Sequence, residues 1–208
     1  MTTRIVMFGD SITDKGGAEI GCKEKNWPAQ VEKRLRAKGH DVTVFNAGIG
    51  GNTTEQGLAR IDREVLSRYP HVTFIEFGFN DRHEREAPGV PRVAFPQFVE
   101  NLRKIVTLIQ HVTHGKVVMI ANHPTMAEAV RPKLSERRPE LKKHYNRGVR
   151  KVAREMDLPL LDLHAHFADA AHPLAELTAT DGLHLSKKGA KRYAELVCRF
   201  IEENDLLA

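Results

Sequence analysis

Five short runs rich in β-branched and aliphatic residues, at 4–8, 42–46, 72–77, 116–121 and 158–163, alternate with longer segments whose apolar residues recur every three or four positions. Runs this short and this apolar fit strands buried on both faces, and the longer segments fit the amphipathic helices that cover them. The predicted helices lie at 27–38, 54–68, 95–112, 135–156 and 186–203, each after a strand. Pro28 in a first turn, Gly39 after the first helix and Gly115 before the fourth strand supply the expected punctuation. Right-handed crossovers between parallel strands then give an α/β fold: a three-layer α/β/α sandwich on a five-stranded, mostly parallel sheet, with the flavodoxin-like strand order 2-1-3-4-5.

A chain of 208 residues, 41% hydrophobic, can fill one core, so a single domain over 1–208 is expected, without linker, repeat or low-complexity tract. No apolar run approaches the roughly 18 residues of a membrane span. The first apolar run, Ile5 to Phe8, is shorter than a signal-peptide core and already has the form of a strand. Cys22 and Cys198 stand far apart without CxxC spacing, which provides neither a disulfide framework nor a zinc motif. These features together predict a cytoplasmic location.

The formal charge of +5 is unevenly spread. Between positions 131 and 154 ten basic residues face only Glu136 and Glu140, in a segment where Leu141, Tyr145, Val149 and Val152 form one apolar stripe. A solvated basic helix face accounts for this, since neither a nucleic-acid motif nor interleaved aromatics accompany the charge. No nucleic-acid partner is predicted.

In open parallel sheets the ligand site lies beyond the carboxyl ends of the strands. The loops predicted there are Gly9-Asp10-Ser11-Ile12-Thr13 after strand 1, Asn46 to Thr53 after strand 2 and Gly78-Phe79-Asn80-Asp81 after strand 3. Asp181-Gly182-Leu183-His184 precedes the last helix and can pack back beside the same edge. Each segment alone is an ordinary turn. Together they offer what acyl transfer needs: a hydroxyl (Ser11), a base (His184), a carboxylate to orient that base (Asp181), and oxyanion donors in the Ser11 and Gly51 N–H groups and the Asn80 amide. Gly182 relaxes the backbone so that Asp181 and His184 can point into one cleft.

These four segments resemble, in order and position, the four blocks of the SGNH, or GDSL, hydrolase family. That resemblance spans residues 9–184 and implies Ser11, Gly51, Asn80 and His184 as signature residues, with Asp181 completing the triad. It also implies the sandwich fold, hydrolysis of esters or thioesters, and no metal or organic cofactor. Trp27-Pro28-Ala29 is similar to family members of the arylesterase and thioesterase kind. Asp10, Phe79 and His123 are expected to line the substrate pocket, with Asp10 also holding or capping the nucleophile turn.

Other chemistries fit less well. A dinucleotide loop at Gly48-Ile49-Gly50-Gly51 would need glycine where Thr53 stands, and neither a P-loop nor a GxSxG elbow occurs. His164 and His166, with Asp169 and His172, raise a metal-dependent hydrolase as an alternative, but their spacing matches no familiar motif, and His83-Glu84 lacks the second histidine of HExxH. A non-catalytic module is disfavoured because every catalytic residue type is present. The expected substrate is a small short-chain or acetyl ester. Carbohydrate O-acetyl groups come next, then acyl-thioesters or lysophospholipids.

Overall fold

The structure, a computed structural model, describes residues 2–16, 19–83, 90–126, 139–168 and 173–207, without the side chains of 139–144 and 168. Its centre is one parallel sheet of β1 (Thr3–Gly9), β2 (Val42–Gly48), β3 (Val72–Glu76), β4 (Lys116–Ala121) and β5 (Leu160–Asp162), in the order β2-β1-β3-β4-β5. This is the order expected from the sequence.

Successive strand side chains go to opposite faces and so feed two cores. Ile5, Met7, Phe74, Val118 and Ile120 pack on one face beneath α2 (Trp27–Ala37) and α8 (Lys187–Glu203). Val6, Phe8, Ile75, Val117 and Met119 pack on the other beneath α3 (Thr54–Glu64), α4 (Phe95–Thr113) and α5 (Pro139–Glu155). The buried residues of α8 include Ala190, Tyr193, Ala194, Val197 and Ile201, at the three- and four-residue spacing that places them on one stripe.

The helices differ from expectation mostly at their ends. The 54–68 segment is α3 followed by a separate tight turn at Leu66–Arg68, because the chain reverses there through Tyr69 at φ 45°. The 158–163 strand shrinks to three residues, and Leu163 instead begins α6 (Leu163–Ala168), whose Ala165 N–H is capped by Asp162 Oδ1 at 3.2 Å. Two further short helices were not foreseen: α1 (Ser11–Asp14) and α7 (Leu174–Leu177). The first four residues assigned to the 135–156 helix lie outside the described residues.

In the basic segment Tyr145, Val149 and Val152 are buried as the stripe predicts, while the side chain of Leu141 and the basic side chains at 131–138, 142 and 143 lie outside the described residues. Arg150 makes a bidentate pair with Asp162, at 2.7 and 3.0 Å, and Lys151 pairs with Glu155 at 3.7 Å.

Candidate active site

The site forms where β1, β2 and β3 end. As β1 leaves the sheet, Asp10 caps α1 by accepting the Ile12 N–H at 3.0 Å, which turns the chain sharply and puts Ser11 at the first helical position. The far side of this turn is held from the beginning of α2. Asn26 Nδ2 donates to the carbonyls of Ile12 and Thr13 at 2.7 and 3.0 Å, and Trp27 Nε1 donates to the Ile12 carbonyl at 3.1 Å. Asn46 Nδ2, from β2, reaches the Thr13 and Asp14 carbonyls at 2.8 and 2.9 Å. Four-residue helices leave most of their carbonyls unpaired, so these amides supply what a longer helix would make for itself.

The candidate base is brought in from far along the sequence. His184 Nε2 lies 2.9 Å from Ser11 Oγ, and His184 Nδ1 lies 2.6 Å from Asp181 Oδ2. A carboxylate only accepts, so Nδ1 carries the proton and Nε2 presents its lone pair to the Ser11 hydroxyl. Asp181 Oδ1 accepts the N–H groups of Leu183 and His184, both at 2.9 Å. Gly182 between them sits at φ 69°, the left-handed conformation that folds the Asp-x-x-His turn tightly enough for these bonds. Partial burial pushes the Asp181 carboxyl up, but the hydrogen bonds from His184 and the turn outweigh it and hold its pKa below the ordinary value.

Facing Ser11 is the loop after β2. The Gly50 N–H is committed to Asp14 Oδ2 at 3.2 Å, whereas the N–H groups of Gly51 and Ser11 make no hydrogen bond among the described residues. Gly51 therefore has the donor that Gly50 lacks. Its glycine identity follows from a φ of 78°, since a Cβ there would meet open space. Asn80 differs from expectation: both protons of its amide are engaged, with Asp10 Oδ2 at 3.0 Å and the Asn52 carbonyl at 3.1 Å. An oxyanion could gain this amide only by displacing one of those acceptors. Asp10 is fully buried and Asn52 only partly so, which makes the Asn52 carbonyl the cheaper exchange.

The three residues expected to line the substrate pocket are almost fully buried: Asp10, Phe79 and His123 are exposed by 0, 4 and 1%. His123 packs edge-on against Phe79 and Tyr193, and its Nε2 meets the Leu183 carbonyl at 3.0 Å, inside the turn that carries the base. Burial, partly countered by that bond, lowers its pKa to about 4, so it stays neutral and donates from Nε2. The Arg82 guanidinium covers the Phe79 ring, and beside it a void of about 10 Å³ bordered by Gly78, Asn122 and Tyr145 has room for about one water.

Beneath the nucleophile turn lie carboxyls that the sequence did not single out for this place. Glu76 accepts from Thr13 Oγ1 at 2.7 Å and from the Tyr193 hydroxyl. Asp81 accepts from the N–H and hydroxyl of Thr54 at the start of α3, and burial raises its pKa to about 6. Burial, with Glu76 nearby, pushes Asp10 well up as well. Among the described residues no group of three His, Cys, Asp or Glu side chains is placed to hold a metal; Asp169 and His172 of the histidine cluster, and Glu84 beside His83, lie outside them.

The profile of the GDSL-like lipase/acylhydrolase family matches residues 7–192. The chain belongs to that family. Lipoprotein YqeF of Bacillus subtilis is 32% identical to this GDSL hydrolase, over 90% of this chain and 84% of that protein. An arylesterase of Vibrio mimicus is 33% identical over 56% of this chain and 53% of that protein. Among solved structures, a lipase/acylhydrolase from Enterococcus faecalis superposes with a TM-score of 0.81 at 30% identity, covering 98% of this chain and 97% of that one. This GDSL hydrolase is thus an ester hydrolase by family. No helix among the described residues is long and apolar enough to cross a membrane, and these relatives lend no support to a cytoplasmic location, one of them being named a lipoprotein.

Proposed function

We propose that this hydrolase cleaves small carboxylic esters through an acyl-enzyme on Ser11. The reading is carried by one observation, the unbroken line from Ser11 Oγ to His184 Nε2 at 2.9 Å and from His184 Nδ1 to Asp181 Oδ2 at 2.6 Å. As Ser11 Oγ attacks the acyl carbon, its proton passes to His184 Nε2, and Asp181 stabilises the imidazolium. The tetrahedral oxyanion is met by the Ser11 and Gly51 N–H groups and by Asn80, which exchanges the Asn52 carbonyl for it. The imidazolium then protonates the leaving alkoxide, and water repeats the sequence to release the acid.

A short acyl group is the better fit. Phe79 and His123 are packed inside, and the void beside Phe79 has room for about one water, so no acyl tunnel opens at that place.

The test is turnover of p-nitrophenyl acetate by purified wild-type and Ser11→Ala protein. Ser11→Ala is expected to fall by at least ~10³-fold; retained turnover would remove the reading. Profiling p-nitrophenyl esters from two to twelve carbons, with acetylated sugars and an acyl-thioester alongside, tests the substrate. A rate that falls with chain length is expected, and a maximum at long chains would overturn the short-acyl assignment.

A further inference from the structure

One buried cation bridges the ends of β1 and β2 and the loop after β2 without touching Ser11, His184 or Asp181. Arg60, on α3, is only 8% exposed. Its Nη2 donates to the Gly9 carbonyl at 2.8 Å, its Nη1 to the Ala47 carbonyl at 2.7 Å and its Nε to Asn52 Oδ1 at 2.8 Å. The guanidinium lies over the Phe8 ring, 4.7 Å from its centroid, and makes no ion pair with a carboxylate among the described residues. Burial lowers its pKa to about 10, so it is still charged at neutral pH.

These acceptors are not interchangeable. Gly9 is the last residue of β1, immediately before the nucleophile turn. Ala47 stands at the end of β2, and Asn52 follows Gly51 in the oxyanion loop. From Asn52 the chain of bonds continues: its carbonyl holds Asn80 Nδ2, and the same amide donates to Asp10 Oδ2. Asp10 is bonded through the backbone to Gly9, which closes the ring. Every oxyanion donor therefore sits on, or beside, a residue of this circuit. A planar fork with five N–H donors is what satisfies three divergent acceptors at once.

We propose that Arg60 is the positioning residue of the oxyanion hole: it sets the spacing between the nucleophile turn and the 49–53 loop before substrate arrives. This inference rests on the serine-esterase reading above and deepens it. Arg60 meets no reacting atom; it acts through Asn52 and the two strand ends.

The experiment compares wild type with Arg60→Lys, Arg60→Gln and Asn52→Ala on p-nitrophenyl acetate, at a temperature where circular dichroism shows each variant folded. Lysine keeps the charge but lacks the planar fork that meets three divergent acceptors at once. Both Arg60 variants are expected to lose ~10- to 100-fold in kcat with KM within about threefold, a fraction of the loss for deleting a whole oxyanion donor. Affinity for a trifluoromethyl ketone, which binds as the oxyanionic adduct, should fall in the same ratio as kcat/KM. The acid limb of the pH profile should stay in place, because the His184–Asp181 pair is untouched. Asn52→Ala removes one acceptor and leaves the other two, and should show a smaller loss of the same kind; it decides the matter if the Arg60 variants do not fold. The inference is overturned if Arg60→Lys keeps wild-type kcat, if the loss lies in KM, or if the acid limb moves. Ser11→Ala runs in parallel. If it stays active, the esterase reading falls and takes this inference with it; if it is inactive while Arg60→Lys is fully active, only this inference falls.

Discussion

The Tyr193 hydroxyl donates to the Glu76 carboxylate across 117 residues of sequence, tying the last helix to the central strand directly beneath the nucleophile turn. The other Glu76 oxygen accepts from Thr13, two residues after Ser11. A single buried carboxyl thus links the element that carries the nucleophile to the helix that follows the base.

That carboxyl makes stability depend on pH. Burial raises Glu76 to about 7, with the bonds from Thr13 and Tyr193 pulling the other way. A carboxyl whose folded pKa exceeds its unfolded one of about 4.3 holds its proton better when folded. Its contribution is complete below the unfolded value and is lost as the pH rises through about 7. Glu76→Gln, which can accept from Tyr193 and donate to Thr13, should remove that slope. In urea titrations between pH 5 and 8, the variant is expected to gain on wild type steadily as pH rises; a constant difference would refute the assignment.

His123 has the opposite sign. Its folded pKa of about 4 lies below the ordinary histidine value, so its contribution is present above about 6.5 and is lost as the pH falls toward 4. His123→Phe suits the aromatic surroundings of Phe79, Phe167 and Tyr193 but strands the Leu183 carbonyl, a cost of about 1–3 kcal/mol. The variant should be less stable than wild type at pH 8 and should close that gap by pH 4.5. Unfolding midpoints at the two pH values check both halves.

Asp181→Asn separates orientation from charge. The amide oxygen can still accept the Leu183 and His184 N–H groups, but its NH₂ then faces His184 Nδ1 and drives the ring proton to Nε2, where Ser11 needs a lone pair. Turnover is expected to fall ~10³- to 10⁴-fold with little change in unfolding midpoint, by analogy with the trypsin-type triad. A loss below tenfold, measured by steady-state kinetics on p-nitrophenyl acetate, would mean that Asp181 does not orient the base.

The sheet and the places where its loops converge were legible from the residues because both rest on local patterns. The apolar runs that became β1 to β4 have no competing helical period, and the glycine- and asparagine-rich segments after β1, β2 and β3 cannot extend their strands. What was not legible depends on long-range partners. Arg60 falls in an amphipathic helix and reads as a solvent-facing charge until three carbonyl and amide oxygens are seen to converge on it. Asn26 and Trp27 read as a helix start, yet their side chains finish the hydrogen bonding of a four-residue helix a dozen positions earlier. How deeply Phe79 and His123 are buried was not legible, because a loop position says nothing of which way a side chain turns: His123 packs on Tyr193 of α8, and Phe79 packs on His123. Asp162 shows the same limit at β5, where capping the next helix ended the strand early.

Ser11 and His184 are 173 positions apart and meet only when the segment before α8 has docked against the β1 edge. On a ribosome Ser11 is made 173 residues before His184, so under the proposed mechanism the serine has no base until then. Regain of hydrolysis after dilution from denaturant would for the same reason report a late event, the arrival of α8 and the turn before it. Under that mechanism a chain interrupted anywhere between the two positions would be chemically silent.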